Sequence, residues 1–103
     1  MTTFENVTVT KKANVYFDGK CLSHDIELAD GTRKSVGTIL PATLTFDTGA
    51  PEVMELLDGE CRITLAGASE AVTYRGGQSF DVPANSSFQI EVLSPVHYVC
   101  HYG

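Results

Sequence analysis

The fold is decided by two stretches, Pro51-Glu52-Val53-Met54-Glu55-Leu56-Leu57-Asp58-Gly59-Glu60 and Gly77-Gln78-Ser79-Phe80-Asp81-Val82-Pro83. Apolar residues flank Asp58-Gly59, a dipeptide typical of two-residue hairpin turns. After it, apolar and polar residues alternate from Cys61 to Leu65, as expected for a strand with one buried face. The first stretch therefore predicts two strands that are joined by a hairpin at Asp58-Gly59.

The rest of the chain carries the same β pattern. Short apolar or β-branched runs are separated by glycine, proline and Asp-Gly turns, and no apolar helical period is sustained. The segment 87–92 alternates cleanly, and the segment 96–102 places Tyr98, Cys100 and Tyr102 on one face. About ten short strands with regularly spaced turns predict an all-β sandwich or barrel.

The composition is that of an ordinary globular domain, and it excludes several partners. A formal net charge of −6 argues against a broad basic face for nucleic acid. No apolar run approaches the roughly 20 residues of a membrane helix, and the start lacks the features of a signal peptide, so we expect a cytoplasmic protein without a membrane partner. The three cysteines are far apart, which predicts buried free thiols. We expect one domain at 13–103, preceded by a loosely ordered arm at 1–12.

Two spacings in the opening stretches match those of a known superfamily. Six residues separate Glu52 from Gly59, and five separate Gly77 from Pro83. With these spacings the chain resembles a cupin. The resemblance implies a single-domain double-stranded β-helix, or jelly-roll, and so favours the barrel over the sandwich.

The histidines that bind metal in many cupins are missing here. The upstream ligand positions fall on Thr45 and Asp47, or on Phe46 and Thr48 if the gap is one residue shorter. The downstream position falls on Phe88. Of the usual ligands only Glu52 is present, and one carboxylate does not hold a transition metal in a fixed geometry. We therefore expect a cupin with no metal and no other cofactor.

Polar groups that point into such a barrel are candidates for chemistry. A carboxylate at the inward position of Glu52 is costly to bury unless something binds it, and the alternative is a rim glutamate bonded to the backbone. Arg33 beside Ser35 would make a local anion site, because guanidinium binds phosphate oxygens in a fork; the alternative is a solvated loop. Aromatic side chains that would line a pocket, or simply fill the core, are Phe80, Phe88, Tyr98 and Tyr102.

Other motifs of catalysis are absent from the sequence. His24, His97 and His101 match no cupin ligand position, and we expect them to be surface or general polar residues. There is no nucleophile elbow, no phosphate-binding loop and no dinucleotide fingerprint. Nothing in the sequence suggests a covalent nucleophile.

A closer resemblance rests on several short motifs in a constant order. They are Asn14-Val15-Tyr16-Phe17-Asp18-Gly19-Lys20, Arg33-Lys34-Ser35-Val36-Gly37, Pro51-Glu52-Val53-Met54, Phe80-Asp81-Val82-Pro83-Ala84-Asn85-Ser86-Ser87-Phe88 and Tyr98-Val99-Cys100-His101-Tyr102. From Ala13 onward the chain is similar to the pyrimidine/purine nucleoside phosphorylases of the cupin type. The resemblance implies a broad-specificity enzyme in which phosphate displaces the base from a nucleoside and gives ribose 1-phosphate, without a metal or organic cofactor.

This reaction gives the candidate residues their roles. Positive charge builds on the ribose ring as the glycosidic bond breaks, and Glu52 would bind the ribose hydroxyls and stabilise that charge. Arg33 and Ser35 would bind the phosphate, with Thr45 as a further candidate. Glu52 is therefore the expected catalytic residue, and the other three are the expected phosphate-binding residues.

The base would meet aromatic side chains. Phe88 and Tyr98 would stack on or flank the base, and Tyr102 is the third expected substrate-binding residue. Stacking tolerates every base because each has a flat face, and broad specificity would follow.

Other functions stay open at this point. The main alternative is a non-catalytic cupin module that binds a nucleoside, a sugar or another small metabolite, and a phosphate clamp at Arg33 and Ser35 is what would distinguish the enzyme from it. A metal-dependent cupin oxygenase or isomerase is disfavoured by the missing histidines. The expected partners are nucleosides and inorganic phosphate, and the cupin resemblance implies a homodimer.

Overall fold

The computed structural model of the protein describes residues 3–102. This part of the chain contains nine strands, one short 3₁₀ turn at Phe17–Gly19 and no α-helix. None of it forms a helix that is long and apolar enough to cross a membrane. The strands are β1 Thr8–Val9, β2 Asn14–Tyr16, β3 Cys21–Glu27, β4 Arg33–Ile39, β5 Thr43–Asp47, β6 Glu52–Leu65, β7 Val72–Arg75, β8 Ser79–Val82 and β9 Ser87–Tyr102.

Strands β6 and β9 form the centre of an antiparallel sheet. They pair along nearly their whole lengths, from Glu52 opposite Tyr102 to Leu65 opposite Phe88. The sheet bends along this pair, so that two halves, here called the first and second walls, face each other across the core. The first wall contains β1, β2, β3, β4 and β8 with the C-terminal half of β9, and the second wall contains β5 and β7 with the N-terminal half of β9.

Alternation along each strand sends one set of side chains between the walls. Both walls contribute to a single apolar core, and all three cysteines are free and buried, as the sequence predicts. Among the most deeply buried side chains are Ile39, Leu56, Cys61, Val82, Ile90 and Val96. The architecture is the all-β jelly-roll barrel that the cupin spacings predict.

The predicted hairpin at Asp58-Gly59 is wrong. Strand β6 continues through it, and the register with β9 shifts there as a β-bulge. Gly59 has a φ of +93°, and a Cβ at this position would overlap the carbonyl oxygen of Pro95. The dipeptide supplies the left-handed residue that a bulge needs as well as a turn does. The segments 87–92 and 96–102, predicted as separate strands, are likewise parts of the continuous strand β9.

The segment expected to form a loosely ordered arm, 1–12, includes β1. Thr8 pairs with Glu27 and Val9 with Ile26, and the amide of Thr10 donates to the carbonyl of Asp25 at 2.9 Å. Met1 and Thr2 of the expected arm, and Gly103 at the end of the expected barrel domain, lie outside the described residues.

Candidate active site

A cavity of about 170 Å³ lies between the two walls. Its polar side comes from the first wall and carries Glu52, Tyr98, Cys100 and Tyr102, with Met54 and Ile39 beside them. Its aromatic side comes mainly from the second wall and carries Phe46 and Phe88. The cavity thus brings together four of the residues singled out from the sequence, namely Glu52, Phe88, Tyr98 and Tyr102.

Glu52 is the first residue of β6 and is partly buried. It pairs with Tyr102 of β9 on one side and with Val82 of β8 on the other. Burial removes water from its carboxylate and raises the pKa of Glu52, although a hydrogen bond with the Cys100 thiol lowers that pKa in part. Burial and the nearby Glu52 charge raise the pKa of Cys100 to about 12. At neutral pH Cys100 is therefore a protonated thiol, which can donate to the Glu52 carboxylate.

Tyr102 and Ser35 form a second polar contact beside Glu52. Ser35 is 2% exposed, and its Oγ lies 3.0 Å from the Tyr102 Oη. Burial raises the pKa of Tyr102 to about 12, against the lowering effect of the Ser35 hydrogen bond. Both hydroxyls therefore keep their protons at neutral pH and remain hydrogen-bond donors.

Tyr98 lies deeper along the same face of β9. Its Oη is 3.7 Å from the Cys21 Sγ, and burial raises the pKa of Tyr98 well above its usual value. The ring lies against Gly37, where an added Cβ would come within 2.7 Å of the Tyr98 ring and hydroxyl. Gly37 therefore creates the space that the Tyr98 phenol occupies.

The aromatic side of the cavity is part of a chain of contacting rings. Phe46 and Phe88 stack with centroids 5.5 Å apart, and Phe17 meets Phe46 edge-on at 5.2 Å. Phe80 meets Phe88 edge-on, with centroids 5.8 Å apart. Such pairs are stabilising beyond the area that they bury, so these contacts stabilise the aromatic side of the cavity.

The predicted phosphate-binding residues separate into two groups. Arg33 begins β4, two residues before Ser35 on the same face, and the register that pairs Lys34 with His101 brings Arg33 alongside Tyr102. Arg33 is exposed and stands at the rim, outside the cavity lining. Thr45 is exposed on the opposite face of β5 from Phe46 and is not brought to the cavity.

The outer face of the first wall carries the three histidines. His101 Nδ1 lies 2.7 Å from the Lys34 Nζ, and its Nε2 lies 2.8 Å from the Glu55 Oε1. His24 and His97 share this face by strand alternation. This agrees with the sequence-based expectation of surface polar roles for these residues.

The metal site that many cupins carry does not fit these residues. Of the positions that would hold it, Phe46 and Phe88 line the cavity without a ligand atom, Thr45 faces away, and Asp47 joins Glu52 as a second carboxylate in the lining. Among residues 3–102, no three His, Cys, Asp or Glu side chains are grouped so that they could hold a metal ion. No step of a reaction is therefore assigned to a metal here.

Several residues of the cavity were not selected as site residues from the sequence, among them Cys100, Phe46 and Tyr16. Cys100 follows from the alternation with Tyr98 and Tyr102, which places all three on one face of β9. Phe46 and Tyr16 also line the cavity, but a strand aromatic looks the same in sequence whether it fills a core or borders a pocket.

Comparison with known proteins identifies the family of this chain. The profile of the family described as "Pyrimidine/purine nucleoside phosphorylase" matches residues 11–102. The chain belongs to the pyrimidine/purine nucleoside phosphorylase family. A relative from Nocardia farcinica that carries this family name is 72% identical over all of both chains.

Solved structures share the fold of this member of the pyrimidine/purine nucleoside phosphorylase family. A protein of unknown function from Acinetobacter sp. is 50% identical and superposes with a TM-score of 0.96. The match covers 98% of each chain. The EutQ protein of Clostridium difficile is 16% identical and superposes with a TM-score of 0.67. That match covers 80% of this chain and 67% of the EutQ chain. The second likeness shows the cupin fold alone.

Proposed function

We propose that this chain is a nucleoside phosphorylase that accepts both purine and pyrimidine nucleosides. The observation that carries the proposal is full-length similarity to relatives named pyrimidine/purine nucleoside phosphorylase. It is supported by a cavity with two carboxylates, Glu52 and Asp47, several neutral hydrogen-bond donors and an aromatic side. The proposed products are the free base and ribose 1-phosphate.

The chemistry requires charge stabilisation at the sugar. A phosphate oxygen forms a bond to the anomeric carbon as the bond from that carbon to the base nitrogen breaks. The bonding pair leaves with the base, which takes a proton from water. Glu52 stabilises the positive charge that develops on the ribose and binds its hydroxyls, because its carboxylate lines the cavity in poorly solvated surroundings.

The phosphate is proposed to bind at the rim beside Tyr102. Arg33 provides the positive charge and the forked donors, and the Ser35 hydroxyl lies two residues further along the same strand face. Thr45 is left out of this proposal because it is exposed on the other face of its strand. Phe88, Tyr98 and Tyr102 are proposed to contact the nucleoside.

The proposal includes catalysis without a metal. It is tested by measuring release of free base from uridine, inosine and adenosine with chelator-treated protein, with and without phosphate. Phosphate-dependent release from a purine and a pyrimidine nucleoside supports the proposal. Release that is lost to the chelator and restored by a divalent ion contradicts the metal-free part, and no release from folded protein contradicts the enzyme.

A second candidate is a module that binds a small metabolite without catalysis. It is favoured by one observation: no lysine or arginine is among the described residues that line the cavity. The two candidates differ in their response to phosphate. A binder holds a nucleoside equally well with or without phosphate and releases no base.

We also propose that the protein forms a homodimer through the outer face of the first wall. Leu22, Val53 and Leu57 are exposed on this face, and Leu57 lies in one groove with Val36 and Val99. Light scattering after size exclusion tests this, with Leu57→Lys as the disrupting variant and Thr45→Lys, on the outer face of the second wall, as its control. A monomeric wild type contradicts the dimer. The cytoplasmic location expected from the sequence stays a prediction.

A further inference from the structure

The size of the cavity limits how much of a nucleoside it can enclose. A dry cavity of ~150 Å³ holds one six-membered ring such as benzene, whereas pockets that enclose whole drug-sized ligands measure roughly 300–1,000 Å³. The cavity here measures about 170 Å³. It therefore encloses one ring of a nucleoside, either the sugar or the base, and the other ring lies at the rim.

The side chains of the cavity suit the sugar. Glu52, Tyr98, Cys100 and Tyr102 offer an acceptor and several donors to a ring that carries hydroxyl groups, and Phe88 opposes them with an apolar face. An enclosed base would instead need edge partners, and a fixed set of buried partners would be left unpaired by either purines or pyrimidines. Enclosing the sugar also puts the reacting carbon beside Glu52.

The register of the first wall sets an order along the cavity. Arg33 stands at one end of β4, and Ile39 at the other, about 20 Å away at ~3.3 Å per residue. Ile39 pairs with Cys21, and Cys21 pairs with Tyr16, so Tyr16 is at the end far from Arg33. In-line displacement requires the phosphate and the base on opposite sides of the sugar, which this separation provides.

The end near Tyr16 is built as an aromatic rim. Tyr16 lines the cavity and is 45% exposed, and Phe17 follows it in contact with Phe46. Phe17 and Asp18 have φ values of 53° and 54°, in the left-handed region that bulky residues rarely adopt. Strain of this kind persists where surrounding structure enforces it and is concentrated at ligand sites.

We infer that the cavity encloses the ribose, while the base lies outside on the aromatic rim formed by Tyr16 and Phe17, and the phosphate binds at the opposite end beside Arg33. This inference rests on the proposed phosphorylase function. It differs from the sequence-based expectation that Phe88 and Tyr98 flank the base, because those residues line the enclosed part of the cavity. Both base classes are accepted because the base is stacked and its edges remain in water.

The first test compares matched substrates of the intact protein. Thymidine and 5-methyluridine share a base and differ in one sugar hydroxyl, whereas uridine and inosine share the sugar and differ in base class. Loss of the sugar hydroxyl is expected to lower kcat/KM by ~100-fold or more, since buried partners are left unpaired, and the change of base by less than about 10-fold. Discrimination in the reverse order overturns the inference and leaves the phosphorylase function standing.

The second test changes the rim. Tyr16→Ala is expected to raise KM about 5- to 100-fold for uridine and inosine alike, the effect of one lost base stack, and to leave the binding of ribose 1-phosphate unchanged. Val15→Ala is the matched control, because Val15 is exposed on the other face of the same strand. An unchanged KM for both nucleosides, or weaker binding of ribose 1-phosphate, overturns the inference.

A binding experiment separates this inference from the proposed function. Saturation-transfer NMR of uridine on the wild-type protein, without phosphate, requires no turnover. Stronger transfer to the ribose protons than to the base protons supports the inference. Stronger transfer to the base protons overturns it even if phosphorolysis occurs, and no transfer together with no phosphorolysis refutes both proposals.

Discussion

Glu52 and Tyr102 lie directly opposite each other in the β6–β9 pair, and both side chains reach the cavity. The Tyr102 hydroxyl is held by Ser35, whose strand lies on the far side of β9. A carboxylate and a phenol donor are therefore fixed side by side by backbone pairing, without a mobile loop.

Replacing Glu52 should remove activity and not stability. Glu52→Gln is expected to lower kcat for phosphorolysis by ~100- to 1,000-fold, the usual loss when a group that stabilises developing charge is removed. Glu55→Gln is the control, because Glu55 stands three residues along β6 on the outer face, bonded to His101. Steady-state kinetics with uridine test the prediction, and wild-type kcat in Glu52→Gln would contradict the role of the carboxylate.

The raised pKa of Glu52 should set the acid limb of the activity profile. The carboxylate is lost as the pH falls through its folded-state pKa, so kcat/KM should begin to fall at a pH above the ~4.3 of an ordinary glutamate. A pH profile measured with saturating phosphate tests this. An acid limb at or below the ordinary value would show that Glu52 is well solvated or is not needed.

The same pKa should appear in thermal stability. Because the folded-state pKa lies above the unfolded one, the stability that protonated Glu52 contributes is fully present below the unfolded value and is lost as the pH rises through the folded value. Glu52→Gln removes this loss, so its Tm should exceed that of the wild type by more at about pH 8 than at about pH 4. Scanning calorimetry at both pH values tests it, and an equal difference at both would contradict it.

Replacing Arg33 should weaken phosphate binding and leave the stability of the protein nearly unchanged. Arg33→Ala is expected to raise the KM for phosphate by about 10- to 100-fold, from loss of charge-assisted hydrogen bonds, with little change in Tm. Arg62→Ala is the control, since Arg62 forms its exposed ion pair with Glu91, 3.3 Å away, on the outer face of the second wall. A phosphate KM that responds equally to both variants would refute the anion site.

The bulge at Gly59 should be sensitive to substitution. An added Cβ at Gly67 contacts nothing, so Gly67→Ala is destabilised only by its positive φ. The cost is about 1 kcal/mol and should lower Tm by about 4–8 °C. Gly59→Ala has the same backbone cost and in addition forces a Cβ against the backbone of Pro95, so its Tm should fall by at least twice as much. Equal losses for the two variants would show that β9 can move away from β6.

Much of the fold can be predicted from the sequence, because strand alternation and the cupin spacings are visible in short stretches of it. Alternation in 96–102 correctly puts Tyr98 and Tyr102 on one face of the strand, and the cupin spacing puts Glu52 at an inward position, where it lines the same cavity. Asp58-Gly59 fails as a hairpin because the same left-handed glycine serves a bulge, and only the length of the partner strand decides between them. That length is a property of the tertiary fold.

The site was harder to predict than the fold. Thr45 was selected by its place in the chain, but the face that it occupies depends on the register of β5 with β9, where Phe46 opposite Phe88 takes the inward position. The proposed role of Tyr16 in the aromatic rim depends on the strained turn that follows it and on the contact of Phe17 with the distant ring of Phe46. Neither contact leaves a local signal in the sequence.

Strand β9 supplies Phe88 to one side of the cavity and Tyr102 to the other. Since this strand pairs with β4, β5 and β6, its amide protons should exchange with deuterium only when the whole barrel unfolds. The short turn after Tyr16, which has few backbone hydrogen bonds, should exchange through local opening. Ligands would then enter and leave by local fluctuations at the aromatic rim, while the part that does chemistry belongs to the slowest-exchanging unit of the protein.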